Sequence, residues 1–184
     1  MAKGTVGRYH IRQELNRGGM GRVYRAYDPD FDRDVAIKVM PAAIASEEVF
    51  RKRFEREAEI IRMLQHPGIV PIYDFGQDEG RLYLAMRFMT GGSLKDLLKD
   101  GPLSLKRAAK IVYDLCQALD NAHRHKIIHR DMKPGNVLFD HDENAYLADF
   151  GIARLTSEPT RLTRTNAIMG TPAYMSPEQV RADI

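Results

Sequence analysis

A dense group of polar residues stands among short apolar runs between residues 127 and 151. The apolar runs lie at 127–128, 137–139 and 146–148. The polar residues include two carboxylates, an amide and an ammonium group: His129, Arg130, Asp131, Lys133, Asn136 and Asp149. Short apolar runs separated by Asp, Asn and Gly are typical of brief strands joined by tight turns. We therefore expect these side chains to be fixed at strand ends around a common space, as in a functional site.

A glycine-rich segment near the N-terminus could bind phosphate. The residues at 16–21 read Asn-Arg-Gly-Gly-Met-Gly, and strand-like sequence lies on both sides of them. Glycines at the tip of a hairpin let backbone N–H groups approach a phosphate closely, because no Cβ intervenes. The same residues also fit a plain flexible turn, since a single G-x-x-G is a weak signal. The segment alone leaves both interpretations open.

Lys38 and Glu57 are a pair of charged residues in apolar surroundings. Lys38 lies in a predicted strand, Asp34–Met40, where its side chain either extends towards solvent or points into a polar cleft. Glu57 falls on the apolar face of a helix predicted over residues 47–65. A buried carboxylate is costly without a partner, and Lys38 is a candidate for that partner. A glutamate at the rim of the helix face is the alternative.

The remaining pattern predicts the elements that position these groups. Two strands are expected at 69–75 and 82–88, and Gly91-Gly92 forms a hinge between a sheet-rich lobe and a helical lobe. A short helix follows near 94–99. A longer helix is expected from Ser104 to about His125, with one apolar stripe and with Cys116 packed at its edge. The residues of that stripe are Ala108, Ile111, Val112, Leu115, Leu119 and Ala122.

Four alternating aspartates, Asp28, Asp30, Asp32 and Asp34, suggest a calcium-binding loop. Neither register places a glycine at the sixth position or a glutamate at the twelfth, so the sequence excludes that loop type. We expect a solvated turn instead.

Composition restricts the function classes. The 184 residues can bury a sizeable core, and the net charge of +3 arises from 28 basic and 25 acidic side chains. Basic residues alternate with acidic ones, which argues against a nucleic-acid partner. One cysteine excludes an internal disulfide and fits a reducing compartment. Neither a membrane-spanning apolar run nor a signal peptide is present in the sequence, so we expect a cytoplasmic chain.

Five motifs, in order, resemble the motif set of the protein kinases. They are the glycine-rich segment Gly18–Val23, V-A-I-K at Val35–Lys38, H-R-D-x-K-P-x-N at His129–Asn136, D-F-G at Asp149–Gly151, and G-T-P-x-Y-x-S-P-E at Gly170–Glu178. The resemblance covers residues 9–184 and is strongest to bacterial Ser/Thr kinases. It implies an α+β fold of two lobes. The N-lobe, 9–90, is expected to be an antiparallel sheet with one helix, and the C-lobe, 91–184, to be mainly helical and incomplete.

The resemblance also implies an activity and assigns residues to it. The expected reaction is transfer of the ATP γ-phosphate to Ser or Thr hydroxyls of protein substrates. Asp131 would accept the hydroxyl proton, Lys133 would steady the phosphate, and Lys38, held by Glu57, would contact the α- and β-phosphates. Asn136 and Asp149 would hold Mg²⁺ as hard oxygen ligands. The residues expected to bind nucleotide are Leu15, Asn16, Arg17, Gly18, Gly19, Met20, Gly21, Arg22, Val23, Ala36, Lys38, Met86, Arg87, Met89 and Leu138.

The Thr-rich segment at 152–175 resembles an activation loop, with Thr163 and Thr165 as the expected phosphate acceptors.

Two features depart from the family pattern. Asn16 stands at the first glycine position of the glycine-rich loop, which predicts altered loop mobility. Roughly 80–100 further helical residues follow the last motif in this family, which makes its domains larger than most. We therefore expect exposed apolar surface on the 105–125 helix and self-association through it. The alternative function is a catalytically incompetent nucleotide-binding or interaction fragment of a kinase.

Overall fold

The computed structural model describes residues 4–18, 21–41, 48–150 and 172–181. The chain divides into two compact units, Met1–Thr90 and Gly91–Ile184.

The first unit contains an antiparallel sheet of six strands. In chain order these are β1 (Thr5–Val6), β2 (Tyr9–Gly18), β3 (Gly21–Asp28), β4 (Arg33–Val39), β5 (Ile72–Asp78) and β6 (Arg81–Arg87). Their spatial order is β1-β2-β3-β4-β6-β5, so that β4 lies in the interior between β3 and β6. Alternation in β4 sends Val35, Ile37 and Val39 to one face, where they are buried with Tyr9 and Tyr83. Lys38 therefore belongs to the opposite face.

Helix α1 (Glu48–Arg62) packs against β5. Its buried residues, Phe50, Phe54, Ala58 and Ile61, recur at helical spacing and form one stripe. Phe54 meets Phe75 of β5 edge to face, with ring centroids 6.4 Å apart. The helix begins with Glu48 in its first turn and ends with Arg62 in its last, which suits the helix dipole.

The second unit consists mostly of helices in the part of it that the structure describes. Its elements are α2 (Leu94–Leu97), a 3₁₀ turn (Leu98–Asp100), α3 (Leu105–Arg124), a 3₁₀ turn (Pro134–Asn136), β7 (Val137–Phe139), β8 (Ala145–Leu147), a 3₁₀ turn (Pro172–Tyr174) and α4 (Pro177–Arg181). Ser93 and Ser104 cap α2 and α3 through their side chains. The long helix α3 packs against β8, and β7 and β8 pair as a short hairpin.

Three local expectations were wrong. The aspartates of 28–34 are not all solvated: Asp28 is 0% exposed, and its carboxylate lies 3.1 Å from Arg8 and 3.6 Å from Arg33. The flexible turn expected from Asn16 onwards is shorter, because β2 continues to Gly18 and pairs there with Gly21.

The third wrong expectation concerns α3, whose buried residues are Ile111, Leu115, Ala118 and Ala122. Val112 is 58% exposed, and Cys116 is exposed as well. The buried stripe is therefore rotated around the helix relative to the predicted one. Leu105 and Tyr113 are also exposed, in agreement with the expected apolar surface on this helix.

Candidate functional site

Asp131 lies at the centre of a polar arrangement in the second unit. The Lys133 ammonium donates to Asp131 Oδ2 at 2.6 Å, and the Asn136 amide Nδ2 donates to the same oxygen at 3.0 Å. Asn136 Nδ2 also donates to the Asp131 backbone carbonyl at 2.8 Å. Because both side chains bind Oδ2, they fix the plane of the carboxylate and leave Oδ1 to interact with an incoming group. Three of the sequence-predicted residues therefore lie together.

His129 anchors this loop from the interior. Its side chain is 1% exposed, and its ring packs against Phe150 with centroids 4.6 Å apart. Nε2 lies 2.9 Å from the Ala148 carbonyl oxygen, and Nδ1 accepts the Asp131 backbone N–H at 3.3 Å. A carbonyl oxygen can only accept, so Nε2 carries the proton and the ring is neutral. Burial lowers the pKa of His129, although its bond to the Ala148 carbonyl opposes that shift.

Asn136 and Asp149 lie on adjoining backbone segments. The Ala148 N–H donates to the Asn136 carbonyl at 2.9 Å, which places the residue before Asp149 against Asn136. Asn136 is buried, and because its side-chain N–H groups bind Asp131, its Oδ1 is the atom that remains suited to a cation. The Asp149 carboxylate supplies further oxygen donors of the kind that Mg²⁺ prefers. The donor chemistry therefore fits a magnesium ion.

Two residues of the site have left-handed backbone conformation. Arg130 has φ 65° and Asp149 has φ 61°. Non-glycine residues rarely adopt this conformation, and they keep it only where surrounding contacts hold them there. Arg130 directly precedes Asp131, the predicted catalytic carboxylate, and Asp149 is itself a predicted metal ligand.

In the first unit, four sequence-predicted residues lie on one face of the sheet. Cross-strand register pairs Lys38 of β4 with Val23 of β3, and Ala36 of β4 with Met86 of β6. Directly opposed residues of antiparallel strands point to the same side, and so do residues two apart on one strand. Val23, Ala36, Lys38 and Met86 therefore form a single patch, which we call the Lys38 face. Lys38 is 4% exposed, so its side chain does not extend into solvent.

The glycine-rich segment lies at the end of the β2–β3 hairpin. Asn16 pairs with Val23, Arg17 with Arg22, and Gly18 with Gly21. A Cβ at Gly21 would lie 2.2 Å from the Val39 carbonyl oxygen, and the Gly21 φ of 121° is unfavourable for other residues. Glycine is thus required at this position by the packing of β3 on β4. The predicted nucleotide-binding residues Gly19 and Met20 lie outside the described residues.

The other sequence-predicted site residues lie on several different strands and helices. Leu15 is exposed on β2, Met89 is buried after β6, and Arg87 at the end of β6 is half-buried. Glu57 is half-buried on α1, and its pairing with Lys38 stays a prediction. Leu138 is half-buried on β7 opposite Tyr146. The predicted phosphate acceptors Thr163 and Thr165 lie outside the described residues, as does Gly151 of the D-F-G motif.

A residue that sequence analysis did not single out contacts the loop at His129–Asn136. The Gln179 side chain of α4 donates from Nε2 to the Arg130 backbone carbonyl at 2.6 Å. Its Oε1 accepts the Ser176 N–H at 3.1 Å. The pattern Ser-x-x-Gln at 176–179 is a capping-box signature that could have marked Gln179 as an N-terminal helix residue. Nothing in the pattern indicated the bond to the loop.

Within the described ranges, no group of three or more His, Cys, Asp or Glu residues is arranged to bind a metal ion. In the same ranges, no helix is both long and apolar enough to cross a membrane.

Comparison with known proteins identifies related sequences and structures. Residues 9–183 match the family model of the protein kinase domain. The serine/threonine-protein kinase PknH of Mycobacterium tuberculosis is 44% identical over 178 residues, which cover 96% of this chain and 28% of PknH. The serine/threonine-protein kinase PrkC of Bacillus subtilis is 41% identical over 185 residues, which cover 100% of this chain and 28% of PrkC. The chain thus spans less than a third of the length of these curated relatives.

A solved structure supports the same relationship. The crystal structure of the Mycobacterium tuberculosis PknI kinase domain matches with a TM-score of 0.75 and 34% sequence identity, covering 87% of this chain and 63% of that one. Its agreement with the sheet and helices described above confirms the predicted α+β kinase fold.

Proposed function

Because this chain belongs to the protein kinase domain family, we propose that it forms the catalytic region of an ATP-dependent serine/threonine protein kinase. The observation that carries the proposal is the arrangement around Asp131. One carboxylate is oriented by an ammonium group 2.6 Å away and by an amide 3.0 Å away. Phosphoryl transfer depends mainly on positioning and charge stabilisation, and this arrangement supplies both.

In the proposed reaction, the hydroxyl of a substrate Ser or Thr lies against Asp131 Oδ1. The hydroxyl oxygen attacks the γ-phosphorus of ATP, its O–H bond breaks, and Asp131 takes the proton. The bond from the γ-phosphorus to the bridging oxygen breaks, and ADP leaves with that electron pair. Lys133 lies next to Asp131, where its positive charge offsets the charge on the transferred phosphoryl group. The residues of this step all belong to the second unit.

ATP recognition is assigned to separate groups of residues. On the Lys38 face, the apolar residues Val23, Ala36 and Met86 suit an adenine ring, and the Lys38 ammonium suits the α- and β-phosphates. Asn136 and Asp149 are the proposed ligands of Mg²⁺, which when bound neutralises charge on the phosphates. Burial of Lys38 supports this role, since its side chain is kept out of bulk solvent on the same side of the sheet as Val23 and Ala36.

Protein substrates and a cytoplasmic location belong to the same proposal. The named relatives are serine/threonine-protein kinases, and the single cysteine suits a reducing compartment.

The test is phosphate transfer by the complete natural protein that carries this chain. Purified protein is incubated with Mg²⁺, γ-labelled ATP and a Ser/Thr peptide, and label on the peptide is measured. The variant Asp131→Asn keeps the size of the side chain but cannot take the proton, so we expect transfer to fall about 10²–10⁴-fold. Asp120→Asn is the matched control, because Asp120 is exposed on α3, where it forms a surface ion pair with Arg124.

The outcomes separate the two functions under consideration. Transfer that persists in Asp120→Asn and is lost in Asp131→Asn supports the kinase. Magnesium-dependent ATP binding without any transfer by the natural protein would overturn the proposal in favour of a non-catalytic nucleotide-binding module.

A further inference from the structure

The Gln179 carboxamide bridges two backbone segments of the second unit. Its Nε2 donates to the Arg130 carbonyl at 2.6 Å, and its Oε1 accepts the Ser176 N–H at 3.1 Å. The carbonyl lies on the loop at His129–Asn136, which is the catalytic loop under the proposed function. The N–H lies at the start of α4. Gln179 is half-buried, and both bonds are partly buried, which reduces competition from water.

The carbonyl that Gln179 binds belongs to the peptide unit that precedes Asp131. The N–H of that same peptide unit donates to His129 Nδ1 at 3.3 Å. The peptide is therefore held at both of its polar groups, by Gln179 on the carbonyl side and by His129 on the N–H side. Fixing this peptide sets ψ of Arg130 and φ of Asp131, and these angles determine the direction in which the Asp131 side chain leaves the backbone towards Lys133.

The backbone at this point also needs support. Arg130 has φ 65°, a left-handed conformation that is unfavourable for an L-residue. Without external bonds, the chain would relax towards the ordinary right-handed or extended regions. A hydrogen bond to the Arg130 carbonyl opposes that relaxation, since the carbonyl turns with the dihedral angles of Arg130.

We propose that Gln179 is a positioning residue for the phosphoryl-transfer reaction, acting on Asp131 through the Arg130 carbonyl. This inference rests on the proposed kinase function. It makes α4 a direct support of the catalytic loop, in addition to any role of that helix in the fold.

A purely structural role for Gln179 predicts different behaviour. If Gln179 served only as the N-terminal cap of α4, the bond to Ser176 would be the important one. Replacement by Glu separates the two bonds. A glutamate carboxylate still accepts the Ser176 N–H, and an acidic residue suits a helix N-terminus. It cannot donate to the Arg130 carbonyl, so the bond to the loop is lost while the cap is kept.

The experiment compares Gln179→Glu and Gln179→Met in the complete natural protein. Gln179→Met keeps the length of the side chain and loses both bonds. The matched control is Gln117→Met, because Gln117 is exposed on α3. For each variant we measure kcat, the KM values for ATP and peptide, and the midpoint of thermal unfolding.

We expect Gln179→Glu to lower kcat about tenfold, the effect of losing one hydrogen bond that positions a reacting group. Its KM for ATP and its unfolding midpoint should stay near those of the natural protein. Gln179→Met should lower kcat to a similar extent and also lower the unfolding midpoint. Gln117→Met should change none of these quantities.

An unchanged kcat in Gln179→Glu would overturn the positioning role, and so would a kcat that falls only in proportion to lost stability. Either result leaves the proposed function intact, provided that Asp131→Asn still lowers transfer about 10²–10⁴-fold. Absence of transfer by the natural protein would overturn the proposed function, and the positioning role would then fail with it.

Discussion

Replacing Gly21 by Ala tests whether the sheet itself, in addition to any bound phosphate, requires glycine at the end of the β2–β3 hairpin. The added Cβ would lie 2.2 Å from the Val39 carbonyl oxygen of β4. Carbon and oxygen atoms in close strand contacts lie about 3.3–3.6 Å apart, so the two strands would have to separate by about 1 Å at this point. Gly21 also has a φ of 121°, which lies outside the regions open to alanine.

Two effects determine the expected magnitude. Backbone strain at such a dihedral angle costs about 1–3 kcal/mol, and forcing packed elements apart costs about 1–3 kcal/mol more. We therefore expect Gly21→Ala to lower the free energy of unfolding by about 2–6 kcal/mol. Moving β3 away from β4 would also disturb the pairing of Arg22 with Val39, which favours the upper part of that range.

Urea unfolding, followed by circular dichroism, measures the effect against two glycine controls. Gly80 has φ 76° but nothing within 4 Å of an added Cβ, so Gly80→Ala should cost only the conformational strain, about 1–2 kcal/mol. Gly4 has open space and no positive φ, so Gly4→Ala should be neutral or slightly stabilising. If Gly21→Ala lowers the free energy of unfolding no more than Gly80→Ala does, the close approach of Val39 is not the reason that glycine is required at position 21. A variant that unfolds like the natural protein but binds ATP weakly would assign this glycine to phosphate binding alone.

Three further predictions concern other parts of the chain. Between pH 7.5 and 5.5, the free energy of unfolding should fall more steeply in the natural protein than in His129→Gln. Burial holds the pKa of His129 below its ordinary value, so the unfolded state takes up the proton first as the pH falls. The difference between the two pH dependences of the unfolding free energy is at most about 1.4 kcal/mol per pH unit. Equal pH dependences in urea titrations of the two proteins would contradict the prediction. Phe54→Ala should lower the free energy of unfolding by about 3–5 kcal/mol, because Phe54 is buried against Phe75, whereas Phe54→Leu should cost much less in the same assay. Thr163→Ala combined with Thr165→Ala should lower peptide phosphorylation by the natural protein if these residues are activating phosphate acceptors, and unchanged turnover would refute that role.

Local sequence pattern was sufficient for most elements of the fold. The predicted strand Asp34–Met40 corresponds to β4, and the helix predicted over 47–65 corresponds to α1. The apolar runs at 137–139 and 146–148 correspond closely to β7 and β8. In each case the signal is a periodicity or a short apolar run within the element itself, so no knowledge of distant partners was needed.

Features that depend on distant partners were not predictable in the same way. Asp28 looked like one aspartate of a solvated turn, yet Arg8, which is 20 residues away, and Arg33 surround it in the fold. Partners at that distance become known only when the strand register is known. Gln179 and Arg130 are 49 residues apart, and their bond has no sequence signature at all. On α3, Val112 lay too close to the edge of the apolar stripe for periodicity to decide its burial.

The arrangement of the two predicted catalytic and metal-binding carboxylates follows from one neutral imidazole ring. His129 Nδ1 accepts the N–H of the peptide that precedes Asp131, and His129 Nε2 donates to the carbonyl of the peptide that precedes Asp149. A single buried side chain therefore fixes the backbone at both carboxylates. The two left-handed residues, Arg130 and Asp149, lie at these same points of the chain. A protonated ring would carry N–H groups on both nitrogens, and its Nδ1 would then oppose the Asp131 N–H. Burial, which lowers the pKa of His129, is thus a requirement of the site's geometry as well as a consequence of packing.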